Sequence, residues 1–117
     1  MSLHHSMSIK VLGAYINSEN NTEDNAQKIL SVDLDELVFE NNTHKMIVRA
    51  INNLKKSGAI ICDLNLLQYL ERYGVPRNTK ESSEIIEILS EFGITSRTFN
   101  SYYETLKKEA LRKVAMI

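Results

Sequence analysis

The feature that most constrains the fold is the recurrence of apolar residues at steps of three and four along most of the chain. The clearest case is the stripe Ile47, Ala50, Ile51 and Leu54, which is one face of an α-helix. The alternation of apolar and polar residues that marks a half-buried strand is almost absent. One proline and four glycines leave few points where helices must break. The pattern predicts an all-α fold, a compact bundle of about six helices.

Polar residues at the expected helix starts predict where individual helices begin. We expect the first helix at about residues 8–16 and a central helix at about residues 44–57. The expected capping residues are Thr43, Asp63, Asn78 with Glu81 in a capping box, and Thr95 or Ser96.

The last expected helix carries an apolar seam that is suited to a helical partner. The interface residues predicted from this seam, which opens at Phe99, are Tyr103, Leu106, Ala110, Val114 and Ile117. The seam is still running at the last residue, so we expect the native protein to continue and this helix to begin a truncated helical hairpin. The predicted organisation is a tag or disordered start (1–7), a helical head (8–96) and the start of the hairpin (97–117), within a single domain.

Composition excludes several classes of protein. A net charge of -1 and a pI near 6.3 do not indicate the basic surface typical of nucleic-acid binding. Cys62 is the only cysteine, so no internal disulfide is possible, which fits a reducing cytoplasm. No apolar stretch approaches the roughly 18–20 residues that cross a bilayer, and we expect no membrane partner.

Residues that could carry chemistry are few and scattered. The four glycines are isolated, so no phosphate-binding loop is present. His44 lacks a second histidine at helical spacing, and His4 and His5 at the terminus make a poor metal site. A nucleophile pair of Cys62 and His44 would lack an orienting group at a recognisable spacing. We therefore predict no catalytic, cofactor-binding or metal-binding residue in this chain.

Two charged segments have both a structural and a functional interpretation. Carboxylates dominate residues 17–42, either as helix caps and a solvated face or as a docking surface for a basic partner. The final helix is basic, through Arg97, Lys107, Lys108, Arg112 and Lys113. These cations suit a solvated helix, but with Tyr102 and Tyr103 they also suit single-stranded DNA or an acidic protein surface.

Three segments carry a more specific pattern. Residues 9–17 contain a Val-Leu-Gly-Ala core, and residues 100–103 (Asn-Ser-Tyr-Tyr) lead into the Leu-Lys-Lys and Ala-Leu-Arg of residues 106–112. Between them lies a third run, which consists of Phe39, His44, Ile47, Ala50, Ile51, Leu54, Gly58 and Asp63. In order and spacing, from about Ser8 to Ile117, these segments resemble the N-terminal domain of DnaB-like replicative DNA helicases.

The resemblance implies a non-catalytic role in DNA replication. In that family a helical head followed by a hairpin pairs with copies of itself, as dimers that build a hexameric collar. The collar docks primase and, in some systems, a helicase loader, and it reaches DNA through the parent assembly. ATP and Mg²⁺ belong to a separate motor domain, so the resemblance implies no cofactor in this chain.

Two other functions stay open at the level of sequence. The chain could be a stand-alone helical adaptor or DNA-binding regulator that uses its basic last helix, which predicts salt-sensitive DNA binding. It could also be an enzyme that uses His44 or Cys62, which predicts that alanine at either position abolishes an activity without unfolding the protein.

Overall fold

A computed structural model of the chain describes residues 3–18, 22–91 and 94–115. Of residues 114 and 115 it describes the backbone only. Within these residues the fold is all-α, as predicted, and contains no strand. A 3-10 turn (Glu36–Val38) lies between the second and third helices. The helices are α1 (Leu3–Ile16), α2 (Glu23–Leu30), α3 (Asn42–Lys56), α4 (Asp63–Arg72), α5 (Thr79–Leu89) and α6 (Ser96–Ala115).

Helix α1 is the centre of the bundle and contacts α2, α3, α5 and α6. Apart from Lys10, its residues from Met7 to Ile16 are buried, as expected for a helix that is apolar on nearly all sides. Helix α1 begins at Leu3, so residues 3–7, for which we predicted a tag or a disordered start, are helical. Met7 lies one turn before Val11 and extends the same buried face, which lengthens the helix toward the N-terminus.

The predicted helix caps are partly confirmed. The amide of Glu81 donates to the side chain of Asn78 at 2.9 Å, which is one half of the predicted capping box, whereas the carboxylate of Glu81 accepts from the amide of Arg77 at 2.6 Å. The Thr43 prediction is wrong, because Asn41 caps α3 and the Thr43 hydroxyl instead donates to a glutamate of α5 at 3.1 Å. The Asp63 prediction is also wrong, since Asp63 lies in the first turn of α4 and Cys62 occupies the cap position without a side-chain hydrogen bond.

Gly13 allows α1 to lie directly against the C-terminal end of α5. A Cβ atom on Gly13 would lie 2.5 Å from the Cβ of Glu91 and 2.7 Å from the carbonyl oxygen of Ile88. Both distances are much shorter than a van der Waals contact, and the second is to a backbone atom. We expect Gly13→Ala to lower the free energy of unfolding by about 1 kcal/mol, because overpacking outweighs the better helix propensity of alanine.

Urea denaturation monitored by circular dichroism measures this effect. Ser83→Ala, at an exposed position of α5, is the control, and it should leave stability unchanged or slightly higher. Equal stability of Gly13→Ala and the wild-type protein would contradict the close packing of α1 on α5.

Candidate docking surface

The first half of α6 packs into the head rather than facing a partner. Tyr103 is 4% exposed and Leu106 is 0% exposed, and both belong to the hydrophobic core together with Phe99. Helix α6 lies against α1, α2 and the 3-10 turn, which cover the seam within the same molecule. The prediction that Tyr103 and Leu106 form an intermolecular interface is therefore wrong for this structure.

The hydroxyl group of Tyr103 fixes α6 to the segment before the 3-10 turn. It accepts a hydrogen bond from the amide of Asp35 at 2.9 Å, and it lies 3.4 Å from the carbonyl of Asp33. Its ring stacks on Phe99 at a centroid distance of 6.2 Å and lies 6.4 Å from the ring of Phe39. Burial raises the pKa of this phenol, so Tyr103 stays protonated and neutral at physiological pH.

Two of the remaining predicted interface residues, Ala110 and Val114, lie in the second half of α6. Ala110 is half-buried, and the side chain of Val114 and all of Ile117 lie outside the described residues. Leu111, which the sequence analysis left out of its predicted interface, is 69% exposed. Helix α6 thus changes along its length, from a half that buries one face in the head to a half in which the side chains of residues 107–113 are half-buried or exposed.

An open apolar groove runs between the 3-10 turn and the second half of α6. We call it the α6 groove, and its volume is about 460 Å³. Leu37, which is 74% exposed, projects on one side and Leu111 on the other. The residues that line it are Asp33, Asp35, Leu37, Val38, Tyr103, Lys107, Ala110 and Leu111.

The short 3-10 turn explains why Leu37 faces outward. The side chain of Asp35 accepts a hydrogen bond from the amide of Leu37 at 2.9 Å and starts the turn. The next two residues, Val38 and Phe39, are buried and point into the core. A tight turn with three residues per repeat cannot bury three successive apolar side chains, so Leu37 is left on the surface.

Charged side chains of both signs lie around the α6 groove. Asp33 and Asp35 are exposed beside the 3-10 turn. Lys107 lines the opposite side, but its ammonium group lies 3.1 Å from the carboxylate of Glu104 and 5.6 Å above the ring of Tyr103. The groove therefore combines apolar walls with a rim of mixed charge. Asp33 is paired with Lys55 at 3.4 Å, and Arg112 is exposed next to Leu111 on the side of α6. The acidic segment predicted from the sequence contributes Asp33 and Asp35 to this rim.

The basic residues of α6 are divided between internal ion pairs and solvent. Lys113 contacts the carboxylate of Glu40, and Lys107 is paired within the helix. Arg97, Lys108 and Arg112 are exposed. With Tyr103 buried and Tyr102 half-buried, this surface lacks the paired aromatic platforms on which single-stranded bases stack.

His44 lies in the interior of the head, on the first turn of α3. Its ring centroid is 5.2 Å from that of His5, and a small cavity of about 240 Å³ adjoins both rings. Burial, and secondarily the neighbouring His5 and His4, lowers the pKa of His44 to about 4. The carboxylate of Glu84 acts in the opposite direction and raises this pKa, but the lowering effects are larger, so the imidazole is neutral at physiological pH.

No arrangement of reactive groups joins His44 to Cys62 in the part of the chain that the structure describes. Neither a hydrogen bond nor a ring contact links the two side chains, and Cys62 is half-buried at the start of α4. Among residues 3–18, 22–91 and 94–115, no three histidine, cysteine or acidic side chains are grouped so as to hold a metal ion.

Comparisons with protein-family models, with curated proteins and with solved structures found no match to this chain. Across the described helices, none has both the length and the apolar content needed to cross a lipid bilayer.

Proposed function

We propose that this chain is the head of the N-terminal domain of a DnaB-like replicative DNA helicase, acting in the cytoplasm. Its role is to dock partner proteins and to present the start of the hairpin through which copies of the helicase assemble. It performs no catalysis, and ATP hydrolysis belongs to a separate motor domain.

The observation that carries the proposal is the change in burial along α6. Phe99, Tyr103 and Leu106 anchor the helix in the head, whereas Leu111 and Arg112 project into solvent beside the α6 groove. This is the architecture expected of a head from which a hairpin helix departs. Because Tyr103 and Leu106 are buried in the head, the proposed association surface is the second half of α6 with its groove.

The segments that carry the family resemblance also have clear structural roles here. Gly13 of the first segment permits the contact between α1 and α5. Phe39 of the second segment packs against Tyr103 of the third, so the two segments meet in the core. His44 is buried on α3, in keeping with a packing role. A pattern whose members share one core is more specific than the same residues scattered over a surface.

The alternative function, DNA binding through the basic helix, has less support. Two of the α6 cations, Lys107 and Lys113, contact carboxylates of the same chain. Tyr103 is buried and its hydroxyl is engaged by Asp35. The three exposed cations that remain, Arg97, Lys108 and Arg112, offer few contacts to a phosphate backbone.

The proposal predicts binding to replication proteins and little binding to DNA. The fluorescently labelled chain is titrated with purified primase and with helicase loader from the same organism, and separately with a single-stranded oligonucleotide. We expect saturable binding to at least one of the two proteins, and only weak, salt-sensitive binding to the oligonucleotide. Sedimentation at tens of micromolar should show a monomer or a weak dimer, because the half of the seam nearest the head is already covered.

Three results would contradict the proposal. The first is tight oligonucleotide binding without binding to either protein, which would favour the DNA-binding regulator. The second is an absence of binding to primase, to the loader and to the chain itself. The third is a stable hexamer of this chain alone.

A further inference from the structure

We propose that the first turn of α1, residues 3–7, is a pH-sensitive clamp on the second half of α6, which opens when the histidine cluster at its base is protonated. The clamp contributes two histidines to the cavity of about 240 Å³ beside His44, which we call the histidine cavity. The inference goes beyond the proposed function and does not depend on binding to primase or to a loader. The residues that line the cavity are His4, His5, Ser8, Glu40, Asn41 and His44.

Two polar contacts join the second half of α6 to the head at this cavity. The carboxylate of Glu109 accepts a hydrogen bond from Nδ1 of His4 at 2.8 Å, and the ammonium of Lys113 contacts the carboxylate of Glu40. Glu109 and Lys113 lie one helical turn apart on α6. Both of their partners line the histidine cavity, so a change in the cavity acts directly on the attachment of α6.

The closed cavity disfavours a positive charge on His44. This residue is 2% exposed, and its Nε2 atom is buried without a hydrogen-bond partner among the residues that the structure describes. The Nε2 atom of His4 is in the same situation. An imidazolium carries an N–H group on both ring nitrogens, so a proton on His44 would leave a buried charge with an unpaired donor. Stable protonation of His44 therefore requires that water reach the ring.

Titratable groups face the cluster from each element that surrounds it. The ring of His5 lies 5.2 Å from that of His44, between centroids, and 3.8 Å separates Nε2 of His5 from the carboxylate of Glu87. Burial, His5 and His4 lower the pKa of His44 to about 4, although Glu84 acts to raise it. The charged groups at this site are Glu40 before α3, Glu84 and Glu87 on α5, and Glu109 and Lys113 on α6.

The clamp can open without unfolding the head. It is the terminal turn of α1, and Leu3 is 74% exposed. Met7 is the first residue of α1 that belongs to the hydrophobic core, so residues 3–6 can leave the head without exposing core side chains. Terminal turns fray at a small fraction of the free energy of global unfolding. A local opening is therefore the easiest route by which water reaches His44.

Acid should drive this opening. In the open form His44 is in water with its ordinary pKa of 6.5, whereas in the closed form its pKa is about 4. Between these values the open form binds a proton that the closed form does not. Lowering the pH from 7 to 5 should thus raise the ratio of open to closed molecules about twentyfold. The contact of protonated His4 with Glu109 opposes opening, but a partly exposed ion pair changes such a ratio by only about fivefold.

Hydrogen exchange of the full chain, measured by NMR at pH 7 and at pH 5 and corrected for intrinsic rates, tests the clamp. The amides of Met7 and Ser8 close the first turn. Their protection should fall about twentyfold at the lower pH, and that of residues 109–113 should fall several-fold. Exchange at Met7 and Ser8 should be insensitive to low concentrations of urea, because a local opening exposes little surface.

Two substitutions separate the sensor from the attachment. His44→Gln does not titrate and should remove the pH response of Met7 and Ser8. Glu109→Gln should speed exchange of residues 109–113 several-fold at pH 7, because the contact with His4 is weakened, while Met7 and Ser8 still respond to pH. Glu104→Gln, at an exposed position of the same helix, is the matched control and should leave exchange of residues 109–113 unchanged.

The wild-type protein also decides the question without any substitution. The ring resonances of His44 should report protonation in step with the loss of protection at Met7 and Ser8. Protonation of the ring while these amides stay protected would overturn the clamp. So would equal protection of the two amides at pH 7 and pH 5, exchange with the urea dependence of global unfolding, or unchanged exchange of residues 109–113 in Glu109→Gln. These outcomes leave the proposed function standing, because that function is tested by binding to primase and loader.

Discussion

Replacing Leu106 by alanine should lower the free energy of unfolding by about 3 kcal/mol, because the side chain is 0% exposed in a closely packed core. The cost combines the lost transfer of apolar atoms from water with the cavity that remains between α6 and the rest of the head. Leu111→Ala is a closely matched control, since it makes the same substitution on the same helix at an exposed position. Its effect should stay within about 0.5 kcal/mol.

Urea denaturation of both variants, followed by circular dichroism and by tyrosine fluorescence, measures the difference. A shift in the midpoint with an unchanged slope would show that stability, and not the compactness of the unfolded state, has changed. Sedimentation should show the same mass for the wild-type protein and for Leu106→Ala under folding conditions. Equal tolerance of the two substitutions would mean that Leu106 is not buried by its own head, and the predicted seam interface would regain its basis.

The helical periodicity was sufficient to predict the fold class, because apolar residues at steps of three and four share one face of an α-helix but not one face of a strand. Helix ends were less predictable. Asn41, Thr43 and Asp63 are all reasonable capping residues by type, and the choice among them depended on tertiary contacts. Thr43 donates to Glu84 of α5, a residue 41 positions away. The apolar periodicity of α3 does not predict that contact.

The docking surface shows a different limit of sequence reasoning. An apolar seam on a helix predicts that something covers it, but it does not distinguish another molecule from the rest of the chain. Tyr103 and Leu106 are covered by α1, α2 and the 3-10 turn, which precede α6 by many residues. Leu111 is rotated by about 100° from Ala110 around the helix, so it does not belong to the predicted seam.

Leu37 illustrates the same limit in a short element. Its neighbours Val38 and Phe39 are buried, so composition alone gives three successive apolar residues with no sign of which one faces solvent. The cap formed by Asp35 sets that orientation. In the sequence, Leu37 and Leu111 are two separate leucines that lie outside the apolar helical stripes. Only the fold brings them to one groove.

Lowering the pH should destabilise the protein through His44. Its pKa in the folded state is about 4, below the ordinary value of 6.5 that applies to the unfolded chain. Between these values the unfolded chain binds a proton that the folded chain does not. The contribution of His44 to stability is therefore complete above pH 6.5 and is lost progressively as the pH falls toward 4. We expect a loss of about 2 kcal/mol between pH 7 and pH 5.

Denaturation of the wild-type protein and of His44→Gln at several pH values tests this expectation. Glutamine does not titrate, so the variant should be less stable at pH 7 and should lose much less stability between pH 7 and pH 5. His4 and His5 of α1 and Glu84 of α5, which act on His44, are present in both proteins, so the difference between the two curves reports His44. Glu36 and Glu81 also have lowered pKa values, because Arg49 and Arg77 pair with them, but their contribution falls away only below their ordinary value of 4.5. Parallel curves for the two proteins between pH 7 and pH 5 would show that His44 is as accessible to protons in the folded head as in the unfolded chain, and the buried environment at the start of α3 would then be wrong.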